Sequence, residues 1–121
     1  MDVLYWIGRI IFGLYWLMNA FNHFTMTEQM AEYAKSKGVP APKAAVLLSG
    51  VLLLIGGIAI LFGVWVQIGL WALIVFLVGV TPVMHNFWAV QDPMARMAEM
   101  VNFTKNAALL GALLMLLTLW R

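Results

Sequence analysis

Four apolar stretches, each long enough to cross a bilayer as a helix, leave this chain few folds to choose from. A spanning helix needs about 20 predominantly apolar residues. The stretches run from Val3 to Phe21, Ala44 to Phe62, Trp65 to His85 and Pro93 to Trp120. The second carries no charge, and the first has only Arg9 and Asn19 as interior polar residues. Of 121 residues, 64% are hydrophobic and 10% charged, against roughly 45–50% apolar and about 25% charged in soluble domains. A water-soluble domain this small has too little interior to hide so much apolar surface. The expected fold is therefore all-α: one transmembrane domain over residues 1–121, an integral membrane four-helix bundle in contact with lipid.

The connections carry local signals that agree. Thr25 and Glu28 have the spacing of a capping box, and Gly38 followed by Pro40 is a helix stop. A short amphipathic surface helix is thus expected from Thr27 to Lys37, between spans one and two. Met26, Met30, Tyr33 and Ala34 would face the membrane, and Glu28, Glu32 and Lys35 water. Pro42 suits the first turn of span two. Gly63 to Gln67 is a tight turn, which makes spans two and three antiparallel neighbours. Asp92 before Pro93 reads as an N-cap with proline in the first helical turn. Span one has no basic region ahead of it and no convincing small-residue cleavage site before His23, so it reads as a span rather than a cleaved signal.

Four spans put Trp6, Trp65 and Trp120 at one membrane face and Trp88 and Tyr33 near the other, as interfacial aromatics require. Lys35, Lys37, Lys43, Arg96 and Lys105 share the second face, whereas Arg121 and the N-terminal amine lie at the first. The positive-inside rule then places both longer loops in the cytoplasm of a prokaryotic cell, with the chain in its inner (plasma) membrane. Small residues in span two (Gly50, Gly56, Gly57, Ala59, Gly63) suit close helix packing. There is no cysteine, which excludes disulfides, thiolate metal sites and thiol redox exchange within the chain. No metal site is assigned. A net charge of +2 gives no reason to expect nucleic acid.

Ionisable groups inside spans are costly and call for a functional explanation. Arg9, Trp16, Asn19 and His23 fall on one arc of span one. His85, Asn86 and Trp88 follow a proline, Pro82, at the end of span three. Glu99, Asn102 and Asn106 share one face of span four. All but Arg9 belong to the same membrane face, so these residues form one candidate polar pocket. Arg9, about 15 Å deeper by helical rise, would close its floor. The pattern assigns no catalytic residue.

Gly8-Arg9 with Gly13, Asn22-His23, His85-Asn86-Phe87-Trp88 and Asn102-Phe103-x-Lys105-Asn106, in that order over nearly the whole chain, resemble the DoxX family. That family takes its name from the membrane subunit of an archaeal thiosulfate:quinone oxidoreductase. It includes stress-associated membrane proteins and proteins linked to redox partners, and offers no agreed catalytic set to carry over. The resemblance, with the polar pocket, implies a quinone-binding membrane component of a redox system that acts with a separate partner protein, soluble or membrane-bound. Trp88, Phe87 and Trp16 would form the ring slot, a histidine or asparagine would supply donors, and Glu99 or a histidine would handle protons. Haem ligation by His23 and His85 is a second reading with a thin basis. A third is a non-catalytic assembly or stability subunit of an oxidoreductase complex, with Arg9 and Glu99 as a structural ion pair. Transport fits least, since four spans offer little pathway unless the chain forms a homo-oligomer.

Overall fold

The computed structural model of the chain describes residues 2–120. Arg121, assigned above to one membrane face together with the N-terminal amine, lies outside the described residues. The elements are α1 (Asp2–Thr25), α2 (Thr27–Ser36), α3 (Pro42–Phe62), α4 (Val66–Met84), a 3-10 turn (Phe87–Ala89) and α5 (Pro93–Leu119). Four of these helices are long and apolar enough to cross a membrane. The chain is an all-α integral membrane bundle with a short surface helix between the first two spans.

The stop signals act where expected. Gly38 takes φ +83° and donates its amide to the Lys35 carbonyl at 3.0 Å, closing α2. Gly63, at φ +68°, ends α3 by donating to Ala59 at 2.8 Å. Asp92 caps α5, its carboxylate accepting from the Ala95 amide at 3.0 Å. The capping box at Thr25 does not form. α1 runs on through Thr25, and only Met26 (φ −116°, ψ 33°) separates it from α2. The Met26 amide still bonds back to the Asn22 carbonyl at 2.8 Å. With the helix hardly interrupted there is no free first turn to cap. Thr25 and Thr27 instead donate their hydroxyls to the Phe21 and His23 carbonyls.

Packing follows chain order, α1 on α3, α3 on α4 and α4 on α5, with α2 laid across α3. Glycine sets the spacing. A Cβ on Gly56 would stand 2.2 Å from Leu73 Cγ, and one on Gly57 would stand 2.8 Å from Leu17 Cδ2. Trp16, Leu53, Leu70, Leu73, Leu77 and Leu113 are sealed in the core. Ile11, Leu48, Val75, Val78 and Met115 are exposed, which suits a lipid-facing surface. The backbones of α1 and α5 hardly approach one another. Side chains bridge this seam, and at one end Tyr5 meets Trp120 edge-on at 5.9 Å.

α2 departs from the expected orientation. Its Ala31 and Ala34 are buried against the bundle, and Met30, Tyr33 and Ala34 line an internal cavity. Ala34 and part of Met30 thus turn to the protein, whereas Met26 and Tyr33 keep exposed surface. Both surroundings are apolar, so the pattern of the helix alone does not separate them.

Candidate functional site

Under α2 lies a cavity of roughly 680 Å³, inside the range of about 300–1,000 Å³ typical of ligand pockets. α1 contributes Tyr15, Trp16, Asn19 and His23 to its walls, and α4 contributes Phe76, Val80 and His85. Asn106 and Lys105 enter from α5, and Ser49 and Val46 from α3. Trp16 is 1% exposed and meets Phe12 and Tyr15 edge-on at 5.7 and 5.1 Å. Its indole nitrogen is buried without a hydrogen-bond partner among the described residues.

The polar wall is built one helical turn at a time. Asn19 donates Nδ2–H to the Tyr15 carbonyl at 2.8 Å. Four residues on, His23 donates Nδ1–H to the Asn19 carbonyl, also at 2.8 Å. His23 is 7% exposed, with its ring edge-on to Phe76 at 6.0 Å. Across the cavity Asn106 donates to Thr81 Oγ1 at 3.2 Å.

Glu99 lies outside the cavity lining but next to it, as the hub of a polar knot. It is 7% exposed and accepts from Lys37 Nζ at 3.1 Å, His85 Nδ1 at 3.2 Å, Asn102 Nδ2 at 3.5 Å and the Tyr33 hydroxyl. Lys37 also donates to Asn86 Oδ1 at 2.7 Å. The knot ties the end of α2 to the loop after α4 and to α5. His85 belongs both to it and to the cavity. Burial, then the hydrogen bond to Glu99, raises the Tyr33 phenol above its usual range, so Tyr33 stays a donor.

The cavity therefore unites Trp16, Asn19, His23, His85 and Asn106. Asn86 and Asn102 sit in the knot. Trp88 is half-exposed and packs with Phe87 and Phe103, at 5.3 and 5.8 Å, outside the cavity. The aromatic wall beside the polar groups is Trp16, Tyr15 and Phe76 rather than Trp88 and Phe87. The expected floor is not Arg9. Its Nε and Nη2 donate to the Ile60 and Leu61 carbonyls, at 3.1 and 3.3 Å, and its guanidinium lies 4.1 Å over Trp6 and 5.0 Å over Trp120. Arg9 caps the C-terminal end of α3 at the opposite face, where it lines a separate, apolar cavity of about 390 Å³ along the α1–α5 seam. The Arg9–Glu99 ion pair is overturned as well, since Lys37 takes that carboxylate.

Sequence reasoning missed Lys37, Thr81 and Gln67. Lys37 follows Tyr33 by four residues, on the face of α2 read as lipid-facing, and that spacing was the available signal. Gln67 donates to the Leu117 and Trp120 carbonyls at 3.2 and 2.8 Å and caps the end of α5. Orphan helix-end carbonyls are costly where water is scarce.

The model of the DoxX family matches residues 4–86, about two thirds of the chain, and the chain belongs to that family. The match ends at Asn86, so the motif on α5 lies outside it. No curated protein and no solved structure matches the chain.

Proposed function

We propose that this DoxX-family chain is a quinone-binding membrane component of a redox system, working with a separate protein that exchanges electrons with the bound ring. The observation that carries this reading is that Trp16, His23 and His85 line one cavity of ligand size. Trp16, Tyr15 and Phe76 offer aromatic surface to a flat ring, and the histidines offer polar contacts to its two oxygens. Quinone reduction takes up two protons with two electrons. His85, hydrogen-bonded to Glu99, links the cavity to Tyr33 and Lys37 on the loop side, and this supports proton exchange at that face. The positive charge of the loops supports a prokaryotic plasma membrane with the α2 side in the cytoplasm.

The knot supports a second reading, a non-catalytic assembly subunit, because its bonds hold α2 in place whether or not a ligand is present. The two readings separate in one experiment. The protein is purified from native membranes in mild detergent, a reduced-minus-oxidised spectrum is recorded, and extracted quinone is quantified before and after reloading in nanodiscs. Near-stoichiometric quinone, lost at least tenfold in His85→Ala and retained in Trp65→Leu, is expected. A preparation without quinone that also refuses reloading would leave the assembly role. A Soret band in the same spectrum would point to haem.

A further inference from the structure

Two of the cavity's polar side chains, His23 and His85, have given a ring N–H to a group that can only accept. The Asn19 amide gives one Nδ2–H to a backbone carbonyl, which fixes its orientation and leaves a second N–H and Oδ1. His23 gives Nδ1–H to a backbone carbonyl, which fixes the tautomer: in the neutral ring Nε2 carries a lone pair. His85 gives Nδ1–H to the Glu99 carboxylate, with the same result. Among the described residues His23 Nε2 has no partner and is not sealed off by the protein.

Amide donors in the lining come from Asn19 and Asn106, each with one N–H already used. The Tyr33 and Ser49 hydroxyls are committed to Glu99 and to the Val46 carbonyl. Gln29 and Lys105 line the cavity at its exposed edge. The Trp16 indole N–H has no partner but is sealed within the protein, and the Tyr15 hydroxyl can turn to either role.

We propose that the cavity selects the reduced, two-hydroxyl form of its ring ligand, a quinol, over the oxidised quinone. This rests on the quinone reading of the cavity and refines it. A quinone offers only carbonyl lone pairs, which would face the ring-nitrogen lone pairs of neutral His23 and His85 and leave these acceptors unpaired. A hydroxyl donates to such an acceptor and still accepts from an amide N–H or a phenol. Unmade hydrogen bonds of this kind are expensive in a buried site, and sites built around a ligand hydroxyl discriminate strongly against analogues without it. At least tenfold tighter binding of the quinol is expected. For a two-electron couple, tenfold corresponds to a rise of about 30 mV in the midpoint of the bound ligand.

The test is anaerobic titration calorimetry of the wild-type chain in nanodiscs with three probes: a decyl-substituted benzoquinol, the matching benzoquinone, and the quinol's dimethyl ether. The ether keeps the ring and its two oxygens, adds a methyl to each and cannot donate, while the quinone is the smaller non-donor. The expected order is quinol at least tenfold tighter than both others, with the ratio collapsing toward one in His23→Phe. Equal or tighter binding of the quinone or the ether overturns the selectivity while leaving a ring-binding cavity. Failure of all three to bind overturns the quinone reading itself. The wild-type comparison decides the matter even if the variant does not fold.

Discussion

Replacing Glu99 with glutamine preserves the side chain's volume and removes its charge. What remains is the Lys37 ammonium, 13% exposed, with neutral amide oxygens, that of Asn86 and that of the new side chain, as its acceptors and no counter-charge. Breaking a buried ion pair from one side costs about 3–5 kcal/mol. The retained Asn86 contact and the long lysine stem place Glu99→Gln at the lower end, about 3 kcal/mol. The loss falls on α2, whose 10 residues are too few to hold a helix unaided. Its other anchors are the small buried faces of Ala31 and Ala34. About 3 kcal/mol is roughly a hundredfold in the opening equilibrium of α2. With no native cysteine, Ala34→Cys, at a position 4% exposed, is a clean reporter, and Ala20→Cys in α1 is its control. Alkylation at position 34 should accelerate about a hundredfold in the Glu99→Gln background and stay slow at position 20. Adding Lys37→Met removes the orphaned charge and should recover most of the loss. Unchanged alkylation at position 34, or equal acceleration at position 20, would refute the idea that this knot holds α2 down.

Four further outcomes are expected. Arg9→Lys surrenders a two-pronged contact with the end of α3 and should lower stability by about 1–2 kcal/mol, read by thermal unfolding in detergent. Gly56→Ala drives a methyl into Leu73, costing about 1–3 kcal/mol, and Leu73→Ala should relieve part of that cost. Ala41 holds a left-handed φ of 46°, so Ala41→Gly should stabilise by about 0.5–1 kcal/mol once glycine's greater entropy in the unfolded chain is subtracted. The raised Tyr33 phenol means that the unfolded chain ionises first as pH climbs. Its share of α2 docking is therefore complete below about pH 10 and lost above it. The reporter at position 34 should show alkaline acceleration, corrected for thiol ionisation at position 20, that Tyr33→Phe abolishes.

Much of the fold was legible because its signals are local. Span lengths, the Gly38 stop, the Asp92–Pro93 cap and the turn at Gly63 depend on residues a few positions apart. The Thr25–Glu28 box misled because it assumes a helix start, whereas α1 and α2 are almost continuous. The site was half legible. Helical spacing brought Trp16, Asn19 and His23 to one wall, and chain topology brought His85 and Asn106 opposite. The Glu99 partners were hidden because Tyr33 lies 66 positions away in sequence and apolar spacing could not tell lipid from bundle. Arg9 was misplaced because depth along α1 was read as depth in one pocket, although its partners are backbone carbonyls, which carry no sequence signal.

Those carbonyls have a consequence for how the protein is made. They belong to residues 51 and 52 positions after Arg9, so the first span reaches the membrane before its hydrogen-bond acceptors exist, with only the Tyr5 and Trp6 rings beside the charge. At synthesis rates of about 5–20 residues per second the delay is about 3–10 s. Meanwhile a guanidinium must stay at the water interface on its flexible stem, and α1 cannot settle to its final depth. Arrival of the end of α3 releases it, which makes α1 and α3 a joint unit of insertion. The end of α5 has no such delay, because Gln67 is already in place when Leu117 and Trp120 emerge.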